Sequence, residues 1–250
     1  MSIIKKGFPM NKTLPFTFFK IHPKAILLEW QQEPNSDLLH ELNCFKEKIK
    51  NHFKEFSQIT QGYCSLLIQL KSNIENSNKI NNKLILLHKN INTNKSDKIS
   101  KHWSIPVLYE GLFGLDLEYL SIELKLSIEK IISLHTKKTY NVYFIGFLPG
   151  FLYLGGLDSR LFFTRKKTPR LKIPKGAVAI GGKQTGIYPD QSPGGWQIIG
   201  NTPIKLFKPN DKKPCFASSG DTLSFYPVSF EQYTVILNSK NQSPYLKSKK

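Results

Sequence analysis

Arginine is nearly missing from this 250-residue sequence. Among 36 basic residues only three are arginines, and Arg160, Arg165 and Arg170 all fall within one short stretch. Acidic residues number 18, which leaves a formal net charge of +18. A nucleic-acid partner would call for arginine and aromatics set along a stripe. The lysines are instead scattered among asparagine and isoleucine, as across residues 73–101, so the charge reads as solvated surface and no nucleic acid is expected. Cysteine is scarce too. Cys44, Cys64 and Cys215 are odd in number and far apart, which excludes a disulfide framework and CxxC zinc spacing and fits a reducing compartment. No apolar run approaches the roughly 18–20 residues of a membrane helix. Residues 1–12 carry early lysines without a continuous apolar stretch or a small-residue cleavage site, so no signal peptide is read there. The expected location is the cytoplasm, with no membrane partner.

What is present is ample core. Hydrophobic residues make up 40% and aromatics 12%, which argues against disorder. Phe16–Ile21 and Ala25–Trp30 read as strands broken at His22-Pro23. Asn35 or Ser36 can cap a helix whose apolar positions Leu38, Leu42, Phe45, Ile49 and Phe53 recur every three or four residues. A strand at Tyr63–Leu70 follows, then a polar stretch to Lys101 with one apolar run, read as a weakly specified hairpin or helix ending in a linker. A second unit begins near His102. Trp103–Tyr109 is strand-like, and Asp116 and Ser127 are placed to cap two helices. Tyr140–Phe147 is a strand, with Val142 and Phe144 expected on one face. Short apolar runs at Ala177–Ile180, Trp196–Ile199, Ile204–Phe207, Thr222–Tyr226 and Tyr233–Leu237, separated by Gly/Pro turns, argue for a barrel or sandwich.

Eleven of the 16 glycines lie between Tyr140 and Lys205, interleaved with Phe147, Phe151, Tyr153, Tyr188 and Trp196. Tight barrel turns explain each cluster singly; together with the aromatics they suggest a ligand groove. The segment 176–184 only imitates a phosphate loop, because Gln184 stands where Ser or Thr should meet the metal. Residues 140–205 hold no His, Glu or Cys, and only Asp158 and Asp190 as carboxylates, against nine Lys and Arg. A self-sufficient hydrolase needs a base or an activated nucleophile. The segment therefore reads as an anion- or partner-binding surface whose catalytic groups are completed elsewhere. His102, His135 and Cys64 read as packing or surface residues, and Asp190 as a turn cap.

Gly146–Asp158, Thr168-Pro169-Arg170, Ile173-Pro174, Gly182–Pro189, Ser192–Trp196 and Gly200–Pro203 resemble the family named for allophanate hydrolase subunit 1, which includes the B subunit of 5-oxoprolinase and the kinase A inhibitor. The match is dense from Trp103 to Tyr226. The resemblance implies an α+β fold, with a small N-terminal α+β domain (1–98), a C-terminal cyclophilin-like β-barrel (99–240) and a basic tail (241–250). It further implies a homologous partner of the allophanate hydrolase subunit 2 type (the C subunit of 5-oxoprolinase), with a third subunit joining in the 5-oxoprolinase system. The complex would open 5-oxoproline to glutamate using ATP with magnesium, and the chain would be inactive alone.

In that reading Arg165, Arg170 and Lys183 bind a substrate carboxylate or phosphate, and Gln184 supplies amide hydrogen bonds. Phe147, Pro149, Gly150 and Phe151, with Tyr188, Ser192, Gly194, Gly195 and Trp196, form the groove. Two alternatives stand beside it: a binding module that inhibits a sensor histidine kinase, and a subunit of an allophanate- or urea-processing amidohydrolase.

Overall fold

The computed structural model describes residues 15–93 and 100–249. The chain divides into two compact units, Met1–Thr93 and Asn94–Lys250; the boundary expected at residue 98 lies outside the described residues.

In the first unit the order is β1 (Thr17–His22), β2 (Ala25–Glu29), α1 (Ser36–His52), β3 (Phe56–Gln61), β4 (Ser65–Leu70) and α2 (Ser77–Lys89). The strands form one antiparallel sheet in the order β1-β2-β4-β3. Asn35 caps α1, its side-chain oxygen accepting from the Asp37 and Leu38 amides. The expected apolar stripe of α1 is buried, and with Phe53 beyond the helix it joins Ile26, Leu28, Leu66 and Ile68 in one core. The polar stretch after β4 resolves into α2, capped by Asn76. Only Leu84 of that helix is fully buried, so its sequence carried little apolar periodicity to read.

The second unit runs β5 (His102–Val107), α3 (Leu117–Leu124), α4 (Ile128–Thr136), β6 (Thr139–Ile145), β7 (Leu152–Gly155), β8 (Arg170–Ile173), β9 (Ala177–Gly181), β10 (Gln184–Ile187), β11 (Ser192–Gly194), β12 (Gln197–Asn201), β13 (Thr222–Pro227), α5 (Phe230–Asn238) and β14 (Lys247–Lys249). Eight strands form a curled sheet in the order β12-β9-β10-β7-β6-β13-β5-β14, and β8 and β11 form a separate ribbon. The sheet bends round until Leu108, just past β5, exchanges backbone hydrogen bonds with Asn201 at the end of β12, at 2.8 and 2.9 Å. Farther along β12, no strand among the described residues lies beside the outer edge. There the Asp116 carboxylate accepts from the Ile198 amide at 2.7 Å, the Asp116 amide donates to the Ile198 carbonyl at 2.9 Å, and the Lys166 amide donates to the Gly195 carbonyl at 2.6 Å. Side chain and loop thus satisfy the edge groups that a strand would otherwise pair.

The sheet has two buried faces. One packs Val178, Ile180, Leu152, Leu154 and Ile199 against Leu117 and Leu120 of α3 and Ile131 and Leu134 of α4. His135 sits on this side, fully buried, between Tyr109 (2.8 Å) and Thr185 (3.1 Å). Because the Thr185 hydroxyl donates to the Ala179 carbonyl, it must accept from His135 Nε2–H, and Nδ1 accepts from the Tyr109 hydroxyl. The opposite face carries a smaller cluster of Phe151, Ile173, Ala177, Ala179, Tyr188, Trp196 and Ile198.

Several sequence expectations are corrected. Tyr233–Leu237 lies in α5, not a strand, because Ser229 and Gln232 form a capping box that starts a helix. Ile204–Phe207 forms no strand beyond an isolated bridge from Phe207 to Cys215. A bulge between Val142 and Phe144 puts Val142 in the main core and Phe144 against Tyr153, so the two do not share a face. Asp116 occupies the N-cap position of α3 without bonding its amides, since its carboxylate is engaged elsewhere. Within the segment read as a basic tail, β14 pairs with β5.

Candidate functional site

Four aromatic rings meet on the smaller face. Phe151, entering β7, lies 5.0 Å from Tyr188, which follows β10, and 5.7 Å from Trp196, which precedes β12. Tyr153 joins from β7 at 4.7 Å from Phe151 and 6.1 Å from Trp196. All but the Phe151–Tyr153 pair are edge-on, the arrangement that ring quadrupoles favour. Glycine makes the approach feasible. A Cβ on Gly181 would lie 2.6 Å from the Trp196 indole, and one on Gly194 would lie 2.5 Å from the Tyr188 hydroxyl.

Phe147 stands over this cluster at the rim. The Leu148 amide donates back to the Gly146 carbonyl at 2.8 Å, closing a three-residue turn with Phe147 at φ 65°. Such γ-turns are rare, and a non-glycine at positive φ is strained. The ring is 62% exposed yet lies 5.6 Å from Phe151 and 6.4 Å from Tyr188. Strain that displays an apolar ring to solvent points to a functional constraint. Gly150 secures the turn's far side against Phe207 and Pro189, and Pro149 is exposed beside it.

The three arginines part company. Arg160 lies outside the cluster and forks onto Asp158 with two bonds of 2.9 Å. Arg170 was expected to face a ligand; instead its two terminal nitrogens hold the two oxygens of Asp116 at 2.8 and 2.7 Å. Lys166 joins the same carboxylate at 2.9 Å. Burial pushes the Asp116 carboxyl up, but Arg170, Lys166 and the Ile198 amide overcome this and hold it below its usual range. Arg165 alone has no carboxylate partner among the described residues. Its guanidinium lies over the Trp196 ring, 5.4 Å from the centroid. Burial pushes the Tyr188 hydroxyl up to about 12 against the pull of Arg165, and raises Tyr153 in the same way.

Of the other residues singled out from sequence, Gln184 opens β10 opposite Gly181, on which Trp196 rests, and its Oε1 is buried without a hydrogen-bond partner. Lys183 is exposed in the adjoining turn, Gly195 carries the carbonyl that fixes Lys166, and the Ser192 hydroxyl donates to its neighbour's carbonyl. Asp116 was missed as a site residue, because sequence alone offered only its helix-capping role. A catalytic pair is not assembled here. His135 is held neutral by burial, with its pKa lowered to about 3, and both its nitrogens are engaged. Asp190 accepts from the Gln191 amide, as a turn residue does. Among the described residues no group of three or more His, Cys, Asp or Glu could hold a metal ion.

A family model for the carboxyltransferase domain, subdomain C and D, matches residues 16–217. The chain belongs to this family. It is 45% identical over 137 residues to the B subunit of 5-oxoprolinase from Bacillus subtilis (strain 168), covering 55% of this chain and 57% of that protein. The protein of the same name from Haemophilus influenzae is 48% identical over 136 residues, 54% of this chain and 64% of the relative. The alignments thus span less than two thirds of these curated relatives. A conserved uncharacterized protein from Pyrococcus horikoshii superposes with a TM-score of 0.52 at 33% identity, covering 87% of this chain and all of that one. The Kluyveromyces lactis urea carboxylase shares the fold, with a TM-score of 0.77 at 22% identity over 94% of this chain and 23% of its own. The expected α+β architecture is borne out: an N-terminal sheet-and-helix unit precedes a curled, half-barrel sheet, and the urea carboxylase shares the fold. Among the described residues no helix is long and apolar enough to cross a membrane.

Proposed function

We propose that this chain is a subunit of an ATP-dependent 5-oxoprolinase, converting 5-oxo-L-proline, ATP and water to L-glutamate, ADP and phosphate in the cytoplasm. The observation that carries the reading is the 44–48% identity to proteins named as the B subunit of 5-oxoprolinase. The site chemistry agrees. A small cyclic acid has a carboxylate for the uncompensated Arg165, a flat ring for the Phe147–Tyr188–Trp196 wall, and a lactam amide for Gln184.

With no base or nucleophile assembled, this surface binds and orients substrate, and a partner of the allophanate hydrolase subunit 2 type completes the active site. Opening a lactam is coupled to ATP, and the nucleotide with its magnesium is assigned to the complex rather than to this chain.

A coupled assay of 5-oxoproline-dependent ATP hydrolysis tests the reading, first on this chain alone and then with the subunits encoded beside it. Turnover only in the mixture supports it. A folded, verified complex without turnover would overturn it. Activity on allophanate or urea would then favour the urea-type reading, which the 34% identity to a Lachancea kluyveri urea amidolyase over 105 residues keeps in view. Inhibition of a sensor histidine kinase through the exposed Phe147 would favour the binding-module reading.

A further inference from the structure

We propose that Asp116 is a positioning residue that makes Arg165 the selective anion receptor of the groove. The inference rests on the reading of Arg165 as the substrate-binding cation. Four cationic side chains crowd one short segment, Arg165, Lys166, Lys167 and Arg170, and the buried Asp116 carboxylate faces them. Asp116 takes Lys166 at 2.9 Å and Arg170 at 2.7 and 2.8 Å, and Lys167 is exposed to solvent. Arg165, held over the Trp196 ring, has no carboxylate partner among the described residues.

The same carboxylate fixes where that cation sits. Its other bond is to the Ile198 amide, two residues after Trp196 on the chain that the guanidinium covers. The segment is further tied to that strand at Arg165's two neighbours. The Thr164 carbonyl accepts from Gln197, and the Lys166 amide donates to Gly195. Asp116 thus fastens the loop bearing Arg165 to the strand bearing Trp196, and it cancels two of the charges that would compete for an incoming carboxylate. A guanidinium so held loses little freedom on binding. Freed lysine and Arg170 would instead attract small anions without orienting them.

The test is a mutant cycle in the reconstituted complex, measuring KM for 5-oxoproline and competitive inhibition by inorganic sulfate. Asp116→Asn keeps the shape and removes the charge. It is expected to raise KM about tenfold with little change in kcat and to strengthen sulfate inhibition. Arg165→Ala should raise KM at least as much, and the double variant should match Arg165→Ala alone, because Asp116 acts through Arg165. Costs that multiply in the double variant, or an unchanged KM in folded Asp116→Asn, would overturn the inference while leaving the site reading intact. An unchanged KM in Arg165→Ala removes the site reading itself. Should Asp116→Asn fail to fold by thermal melting, Lys166→Met takes its place: it breaks one tether without freeing a cation, so KM should rise without stronger sulfate inhibition, and an unchanged KM would overturn the inference.

Discussion

A guanidinium in this chain has one of three surroundings, and they carry different energies. The Arg160 pair with Asp158 is exposed on the arginine side, and such pairs contribute little to stability. Arg170 serves a buried carboxylate. Removing it with Arg170→Ala leaves Asp116 to Lys166 and one amide, and is expected to lower unfolding free energy by roughly 2 kcal/mol, below the range for a fully orphaned buried charge. Arg165→Ala should leave the thermal midpoint within about two degrees, since surface changes away from buried networks fall within about 0.5 kcal/mol. Thermal melts of the two variants, set beside substrate turnover, separate the roles: Arg170 in the melt, Arg165 in the KM. Sequence reading could see that three arginines cluster. It could not see which was taken, because the deciding carboxylate lies 54 positions upstream of Arg170 and its local pattern spells only a helix cap.

Among the elements, those with a local signature were legible. Asn35 and Ser127 cap the helices expected of them, and β9 and β13 fall on the apolar runs that suggested strands. The reading failed at the Val142–Phe144 bulge, where sheet pairing overrides the local alternation, and in α5, where the local capping box of Ser229 and Gln232 went unread. The aromatic cluster was legible as a set of residues rather than as a geometry. Phe147, Phe151, Tyr188 and Trp196 do converge, yet the reason for glycine at 181, the indole resting on its Cα, needs the fold. Gly181→Ala is therefore expected to displace Trp196 and cost about 1–3 kcal/mol by overpacking. A change in tryptophan emission, read against the Trp196→Phe background to remove Trp30 and Trp103, checks it. An unchanged spectrum would mean that the ring yields without leaving the cluster.

For the molecule as a whole, acid is the condition that the buried groups resist. His135 refuses a proton until about pH 3, whereas an unfolded chain accepts it near the ordinary histidine value of about 6.5. Stability should therefore fall as pH drops below about 6.5, by up to about 1.4 kcal/mol per unit from this residue alone. The carboxylates of Asp116, Asp158 and Glu41 are held below their usual range, so they contribute stability that disappears only at lower pH, as each is protonated. Urea midpoints at pH 7, 6, 5 and 4.5 should show the first decline, and His135→Phe should flatten it, though it lowers the pH 7 value by removing the acceptor of the buried Tyr109 hydroxyl.

The pairing of β5 with β13 is parallel and joins His102–Val107 to Thr222–Pro227. During synthesis the first sheet, complete by residue 70, has every strand it needs long before the barrel does. The ribosome must add 120 residues between the pairing partners, which at about 5–20 residues per second takes roughly 6–24 seconds. Throughout that interval β5 waits with both edges unmatched, because β13 and β14 both follow it, and with its apolar face uncovered. The barrel half of the nascent chain is thus the half that chaperones would be expected to hold.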